Sequence, residues 1–270
     1  MLRKRVLTAL VIAPIAIAGV FLLPQIEFAI FVGAILSIGA WEWGNLAGLK
    51  GPNRLIYATS VAAALPMTYF ASPMVILILG LTWWMAAFVL VVGYPKLTGL
   101  WASKSMRCVI GIFILVPAWK AMLSLKASPD SNHLILLLFF LIWGADIGAY
   151  FLGKAFGTRK MAPQVSPGKS WVGFFGGLIT AFLIGFLMLL LVEKPYIYTS
   201  QGLFFLIGCV FVTIVSVLGD LAVSMFKRNV GVKDSSDLLP GHGGFLDRID
   251  SLLSASPLYA LLILIFGWTL

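Results

Sequence analysis

Apolar residues run through this chain in long blocks separated by short polar or Pro/Gly breaks, with no alternation of the kind a half-buried strand requires. Nine such blocks stand out, near 6–23, 26–43, 55–71, 74–92, 107–125, 133–152, 171–192, 202–222 and 252–269. Each approaches the roughly 18 to 20 apolar residues that carry a helix across a hydrocarbon core about 30 Å thick. Irregular backbone is not tolerated in lipid, so the pattern predicts an all-α, polytopic integral membrane protein of about nine transmembrane helices.

Composition supports this reading. Of the 270 residues, 61% are hydrophobic and only 11% charged, and the mean hydropathy is +1.04, against about a quarter charged in soluble domains. The opening MLRKR followed by VLTALVIAPIAIAG has the shape of a signal peptide, with Ala16 and Ala18 spaced for cleavage. The apolar run continues to Leu23 and more spans follow, so a retained first span is expected. Cys108 and Cys209 lie inside apolar blocks without metal-ligand spacing, and suggest neither a disulfide nor a zinc site.

The net charge of +9 is less informative than where the bases fall. With a cytoplasmic N-terminus and nine spans, only Lys120, Lys126 and Lys194 of the 19 bases lie outside, as the positive-inside bias demands. That arrangement places the C-terminus outside and the loop near residue 240 in the cytoplasm. It also favours anionic membrane lipids as neighbours, and no nucleic-acid partner is expected.

No repeat, linker or low-complexity tract divides the chain. Residues 1–125 read mainly as scaffold: Glu27 and Glu42 are expected at span ends, Trp41, Trp43, Trp83 and Trp84 at the interface, and Pro14, Pro66, Pro73 and Pro117 at kinks or boundaries. Residues 126–270 hold the chemistry. Asp146 interrupts an apolar run, at a cost of about 2.5–3.5 kcal/mol by insertion scales, so it needs a partner: a metal or proton site, or an interhelical hydrogen bond. Gly144 and Gly148 allow close helix approach, and Tyr150 shares a helical face with Asp146. The loop GTRKMAPQVSPGKSW, with Lys169, could hold a phosphate at the start of the next helix, although P-loop spacing is absent.

Five of the ten acidic residues, Asp220, Asp234, Asp237, Asp247 and Asp250, fall between positions 220 and 250. Asp247 and Asp250 are three apart, so on a helix both carboxylates share a face and can share a divalent cation, which Asp220 would complete. Pro240, Gly241, Gly243 and Gly244 leave backbone room beside His242, and Lys227, Arg228, Lys233 and Arg248 surround the acids. A cation, bases and a membrane surface together point to phosphoryl or nucleotidyl transfer onto a lipid.

At these residues the sequence closely resembles the phosphatidate cytidylyltransferase family, also called CDP-diacylglycerol synthases. The family signature runs here as Ser224, Lys227, Arg228, Lys233, Asp234, Ser236, Leu239, Pro240, His242, Gly243, Gly244, Asp247, Arg248 and Asp250. The SPGKSW loop and the span bearing Asp146 are similar to the family's second recurrent region. Two positions depart from the pattern: Val223 stands where bacterial relatives often have glutamate, and Gly168 where many have a second lysine.

The resemblance implies an enzyme of phospholipid biosynthesis that joins CTP to phosphatidic acid with magnesium, giving CDP-diacylglycerol and pyrophosphate; a second cation is left open. The compact nine-span topology suggests a bacterial inner membrane protein whose site faces the cytoplasm, and small-residue faces with family analogy suggest a homodimer. Asp220, Asp247, Asp250 and Lys227 would be catalytic. The metal would sit among Asp220, Asp247 and Asp250, with Asp146 as a further ligand. Lys169, Arg228, Lys233 and Arg248 would hold phosphates, with Ser224 and His242 supporting orientation. The rivals are a CTP-dependent polyprenol kinase and a membrane transporter. A CDP-alcohol phosphotransferase lacks support, because its D-G-x-x-A-R pattern is missing and the last two aspartates are three apart rather than four.

Overall fold

A computed structural model describes residues 2–191 and 199–268; the side chains of residues 2–7 and 9 fall outside the described set. Lys194, the ends of the seventh and ninth apolar blocks and the side chains of Arg3, Lys4 and Arg5 therefore lie outside the described residues. Nine α-helices are described: α1 (Leu2–Phe21), α2 (Gln25–Leu46), α3 (Pro52–Met67), α4 (Pro73–Val92), α5 (Lys104–Lys126), α6 (Ser131–Phe156), α7 (Trp171–Leu191), α8 (Ser200–Asn229) and α9 (Leu246–Phe266). A two-stranded antiparallel hairpin, β1 (Lys160–Ala162) and β2 (Ser166–Ser170), joins α6 to α7.

Each apolar block became one helix. Seven of the helices, judged on the described residues, are long and apolar enough to cross a membrane, whereas α3 falls short of that standard. With 16 residues, α3 is about 24 Å long at 1.5 Å per residue, below the thickness of a hydrocarbon core. The breaks have local causes. Pro52 and Pro73 open α3 and α4, where the missing N–H costs nothing. The Ser103 hydroxyl caps α5 by accepting from the Met106 amide at 3.2 Å.

The bundle is organised around α5 and α9. Of the best apolar window of α5, 72% is buried within the protein, against 28% for α7, which lies at the periphery. Pro117 of α5 and Pro257 of α9 both face Gly80 of α4, so the prolines expected to mark kinks or boundaries include one that packs three helices together. Gly148 and Gly176 face each other's helix backbones where α6 crosses α7, the close approach that the small-residue spacing foretold. Trp43 and Trp84 are not interfacial: both are among the most deeply buried side chains. Trp43 and Trp101 pack edge-on against Phe226 at 4.8 and 4.5 Å, and the Trp43 indole N–H donates to the Arg107 carbonyl at 2.7 Å.

Helix ends away from this aromatic group are closed by lysines. Lys120, which is buried, donates to the Thr68 and Tyr69 carbonyls at 3.0 and 2.6 Å after the end of α3. Lys126 donates to the Val20 carbonyl at 2.8 Å in the last turn of α1. An ammonium group satisfies carbonyls left over at a helix C-terminus and is favoured by the helix dipole. Both cysteines are free.

Candidate active site

The C-terminal half of α8 carries Asp220, Ser224 and Lys227 along one face, and the first turns of α9 carry Asp247, Asp250 and Ser254. The two helices cross where Gly219 meets the Asp250 carbonyl and the Ser254 side chain, leaving no room for a Cβ. Ser254 fastens the crossing by donating to the Val215 carbonyl at 2.7 Å. Without glycine at 219, Asp220 and Asp250 could not be brought so near each other.

Two ion pairs are present among the described residues. Lys169, delivered by β2, pairs with Asp220 at 2.7 Å, with both side chains partly exposed. Lys227 pairs with Asp247 at 2.7 Å, with only 8% and 4% of the two side chains exposed. The free oxygen of Asp220 accepts from Ser224 Oγ at 3.1 Å. Asp250 is buried; its Oδ1 accepts from the Ser251 amide at 2.8 Å, and it lies within electrostatic reach of Asp220, Lys227 and Lys169. Asp146 faces the same group from α6, influenced by Lys169 and Asp220, and takes no hydrogen bond among the described residues. Asp146, Asp220 and Asp250 thus share one electrostatic neighbourhood with Lys169 and Lys227.

Asp247 has partners that its spacing from Asp250 did not suggest. Beyond Lys227 on Oδ1, its Oδ2 accepts from the Ser235 amide at 2.8 Å, the Ser235 hydroxyl at 3.1 Å and the Gly244 amide at 3.0 Å. Three unshared donors and a hydroxyl shared with Glu42 surround the carboxylate, so in this state Asp247 ties α8 and the 235–244 loop to the start of α9. Among the described residues, no group of three or more His, Cys, Asp or Glu side chains is arranged to hold a metal.

The remaining candidates are dispersed. Arg228 donates to the Val165 carbonyl at 3.2 Å and the Val232 carbonyl at 3.3 Å, anchoring the hairpin to the end of α8. Lys233 and Arg248 are exposed, with no side-chain partner among the described residues. His242 stands in a tight turn closed by the Leu239 amide donating to the Gly243 carbonyl at 2.8 Å, with Gly241 and Gly243 both at φ +80°, the left-handed conformation that glycine adopts at no steric cost. Its Nδ1 is buried without a partner among the described residues. At the start of α7, the Ser170 hydroxyl already accepts from the Gly173 amide at 3.1 Å and the Trp171 amide donates to the Arg159 carbonyl at 3.1 Å, so two of the amides considered for a phosphate are engaged.

Glu42 corrects the sequence reading most. Expected at a span end where exposure is cheap, it is fully buried. Its carboxylate accepts from the Phe245 amide at 2.9 Å, the Leu246 amide at 2.6 Å, Ser235 Oγ at 3.1 Å and Ser236 Oγ. The apolar run around it hid the role, because every partner lies about two hundred residues downstream. The room left by Gly244 is filled by Ser235 Oγ and the Glu42 carboxylate, which a Cβ would meet at less than contact distance. Gly244→Ala should therefore destabilise the protein by about 1–3 kcal/mol, as overpacking of a filled site does, read as a lowered melting temperature in detergent.

Helices of this length around an ionic centre at one end of the bundle define a polytopic membrane protein with the makings of an enzyme. The family comparison makes the assignment specific: residues 3–266 match the cytidylyltransferase family model, and the chain belongs to that family of nucleotidyl-transferring enzymes. It is 49% identical to the phosphatidate cytidylyltransferase of Pseudomonas aeruginosa over 99% of both chains. It is 39% identical to that of Haemophilus influenzae over 96% of this chain and 98% of the relative. It is also 41% identical to that of Bacillus subtilis over 47% of this chain and 45% of the relative.

Proposed function

We propose that the protein transfers the cytidylyl group of CTP to phosphatidic acid, releasing pyrophosphate and leaving CDP-diacylglycerol in the membrane. The observation that carries this is the gathering of Asp146, Lys169, Asp220, Lys227 and Asp250 into one electrostatic neighbourhood, within a family whose full-length relatives bear that activity in their names. An oxygen of the lipid phosphate attacks the α-phosphorus of CTP; the bond from that phosphorus to the bridging oxygen breaks, and the electron pair leaves with pyrophosphate. A phosphate monoester already carries nucleophilic oxygens, so positioning and charge neutralisation are what remain to supply.

Magnesium fits the residues available. It commonly takes one or two protein carboxylates, with water and substrate phosphate oxygens completing its shell. Asp220 and Asp250 form that pair, with Asp146 to one side. Bound there, the ion would offset charge on the triphosphate as the leaving group departs. Lys169 and Lys227 bring positive charge to the same place, and Ser224 orients the Asp220 carboxylate. Lys233 and Arg248, without side-chain partners among the described residues, are available to phosphate oxygens, while Arg228 serves by holding the hairpin that presents Lys169. In this reading the N-terminus and the site face the cytoplasm of a bacterial inner membrane, where CTP is available, and bases crowd the same side.

The test is a mixed-micelle assay with purified protein, phosphatidic acid, magnesium and CTP labelled in the cytidine. Label is expected in the lipid phase with release of pyrophosphate, and EDTA should abolish it. Transfer of γ-phosphate label without cytidine label would replace this reading with a lipid kinase.

A further inference from the structure

We propose that Glu42, in α2, is a positioning residue of this active site, and that its carboxylate sets the placement of Asp247, Asp250 and Lys227. The proposal rests on the cytidylyltransferase reading above and adds a residue from the half of the chain read as scaffold.

A fully buried carboxylate is expensive, and the usual compensation is an ion pair. Glu42 has none among the described residues. Arg54 is within electrostatic reach, but its guanidinium lies over the Trp41 ring at 3.7 Å and its Nε donates to the Trp41 carbonyl at 3.3 Å. Compensation comes instead from hydrogen bonds donated by Ser236, Phe245 and Leu246, with the Ser235 hydroxyl shared between Glu42 and Asp247. Two of the donors, the amides of Phe245 and Leu246, belong to the start of α9, where no intrahelical acceptor exists and the helix dipole favours a negative charge. Simple packing of α2 against this loop would be achieved at lower cost by an apolar side chain.

Ser235 passes the constraint onward. Its hydroxyl lies 3.1 Å from both Glu42 Oε2 and Asp247 Oδ2, and a hydroxyl has only one proton to give. Its amide is committed to Asp247 at 2.8 Å. Asn45, one turn along α2, adds a hydrogen bond to the Ser235 carbonyl at 3.4 Å. The chain of contacts therefore runs from Glu42 through Ser235 to Asp247 and Lys227, and Lys227 lies in the field of Asp220 and Asp250. Glu42 also fixes the first residues of α9 directly, one turn before Asp250.

Glu42→Gln discriminates this role. The amide keeps the shape but accepts at one atom only, so its NH2 group must face the N–H of either Phe245 or Leu246. In the whole chain in micelles, kcat is expected to fall about tenfold or more, the effect of losing one charge-assisted hydrogen bond that places the catalytic groups, with KM for CTP within about twofold. Hydrogen exchange at the Phe245 and Leu246 amides should quicken in the same variant. Glu42→Asp, which retains the charge on a shorter arm, should recover part of kcat. Wild-type kcat or unchanged exchange in Glu42→Gln would overturn the proposal.

Should Glu42→Gln fail to fold, Ser236→Ala removes one donor and leaves the carboxylate. It should lower kcat about two- to fivefold, in keeping with a single neutral hydrogen bond, and an unchanged kcat would overturn the proposal. Exchange needs no substrate, so it reports on Glu42 even if wild-type protein makes no labelled lipid, the result that would remove the cytidylyltransferase reading itself.

Discussion

Asp250→Asn is expected to lower turnover by about 10² to 10³-fold, the cost of taking one electrostatic stabiliser from a preorganised site, while leaving the protein at least as stable as wild type. The two effects have one origin. Asp250 is buried and lies beside a second carboxylate, Asp220, and two carboxylates held together in a buried site repel each other. Lys169 and Lys227 offset that repulsion in part. Asparagine retains an acceptor for the Ser251 amide, bonded at 2.8 Å, and removes the repulsion. Charge held at a cost to the fold marks a functional site rather than a structural one. The check is a pair of measurements on one sample: melting temperature in detergent, and cytidylyl transfer across a range of magnesium concentrations. Wild-type turnover in this variant would remove Asp250 from the site, and a melting temperature lowered by many degrees would remove the argument about its cost.

How far the site was legible follows from how local its signals are. The nine apolar blocks reflect a solvent constraint acting on each segment separately, so among the described residues each translates directly into a helix. Asp146, Lys169, Asp220 and Asp250 stand out because each is an expensive or clustered charge in an apolar chain, and these the fold gathers. What local sequence could not carry was partnership. The i,i+3 spacing of Asp247 and Asp250 says that two carboxylates share a face, but not that one is filled by Lys227, Ser235 and Gly244. Glu42 reads as an interfacial acid because its donors lie in another part of the chain. Trp43 and Trp84 read as interfacial because burial against other helices and burial in lipid leave the same trace in a hydropathy profile. The hairpin of β1 and β2 was hidden in a Pro/Gly-containing loop, its strands too short for any periodicity to show.

Lys227→Met is expected to destabilise the protein more than any other single change considered, by about 3–5 kcal/mol, the cost of leaving a buried charge without its partner. The pair is nearly excluded from solvent, with 8% and 4% of the side chains exposed at 2.7 Å, so screening by water does not blunt the loss. Asp247 would retain its donors from Ser235 and Gly244, which is why the protein is expected to be weakened rather than undone. Stability alone, however, does not separate a structural ion pair from a catalytic one. The double variant Lys227→Met with Asp247→Asn does, because it removes both charges and leaves an amide that still accepts from the 235–244 loop. Its melting temperature should recover most of what Lys227→Met lost, while cytidylyl transfer stays at the level of the single variant, since the ammonium group beside Asp220 and Asp250 is still missing. Recovery of both properties would make Lys227 a structural counter-ion and nothing more. Recovery of stability alone would mean that Asp247 holds Lys227 in place so that its charge can act on the phosphates.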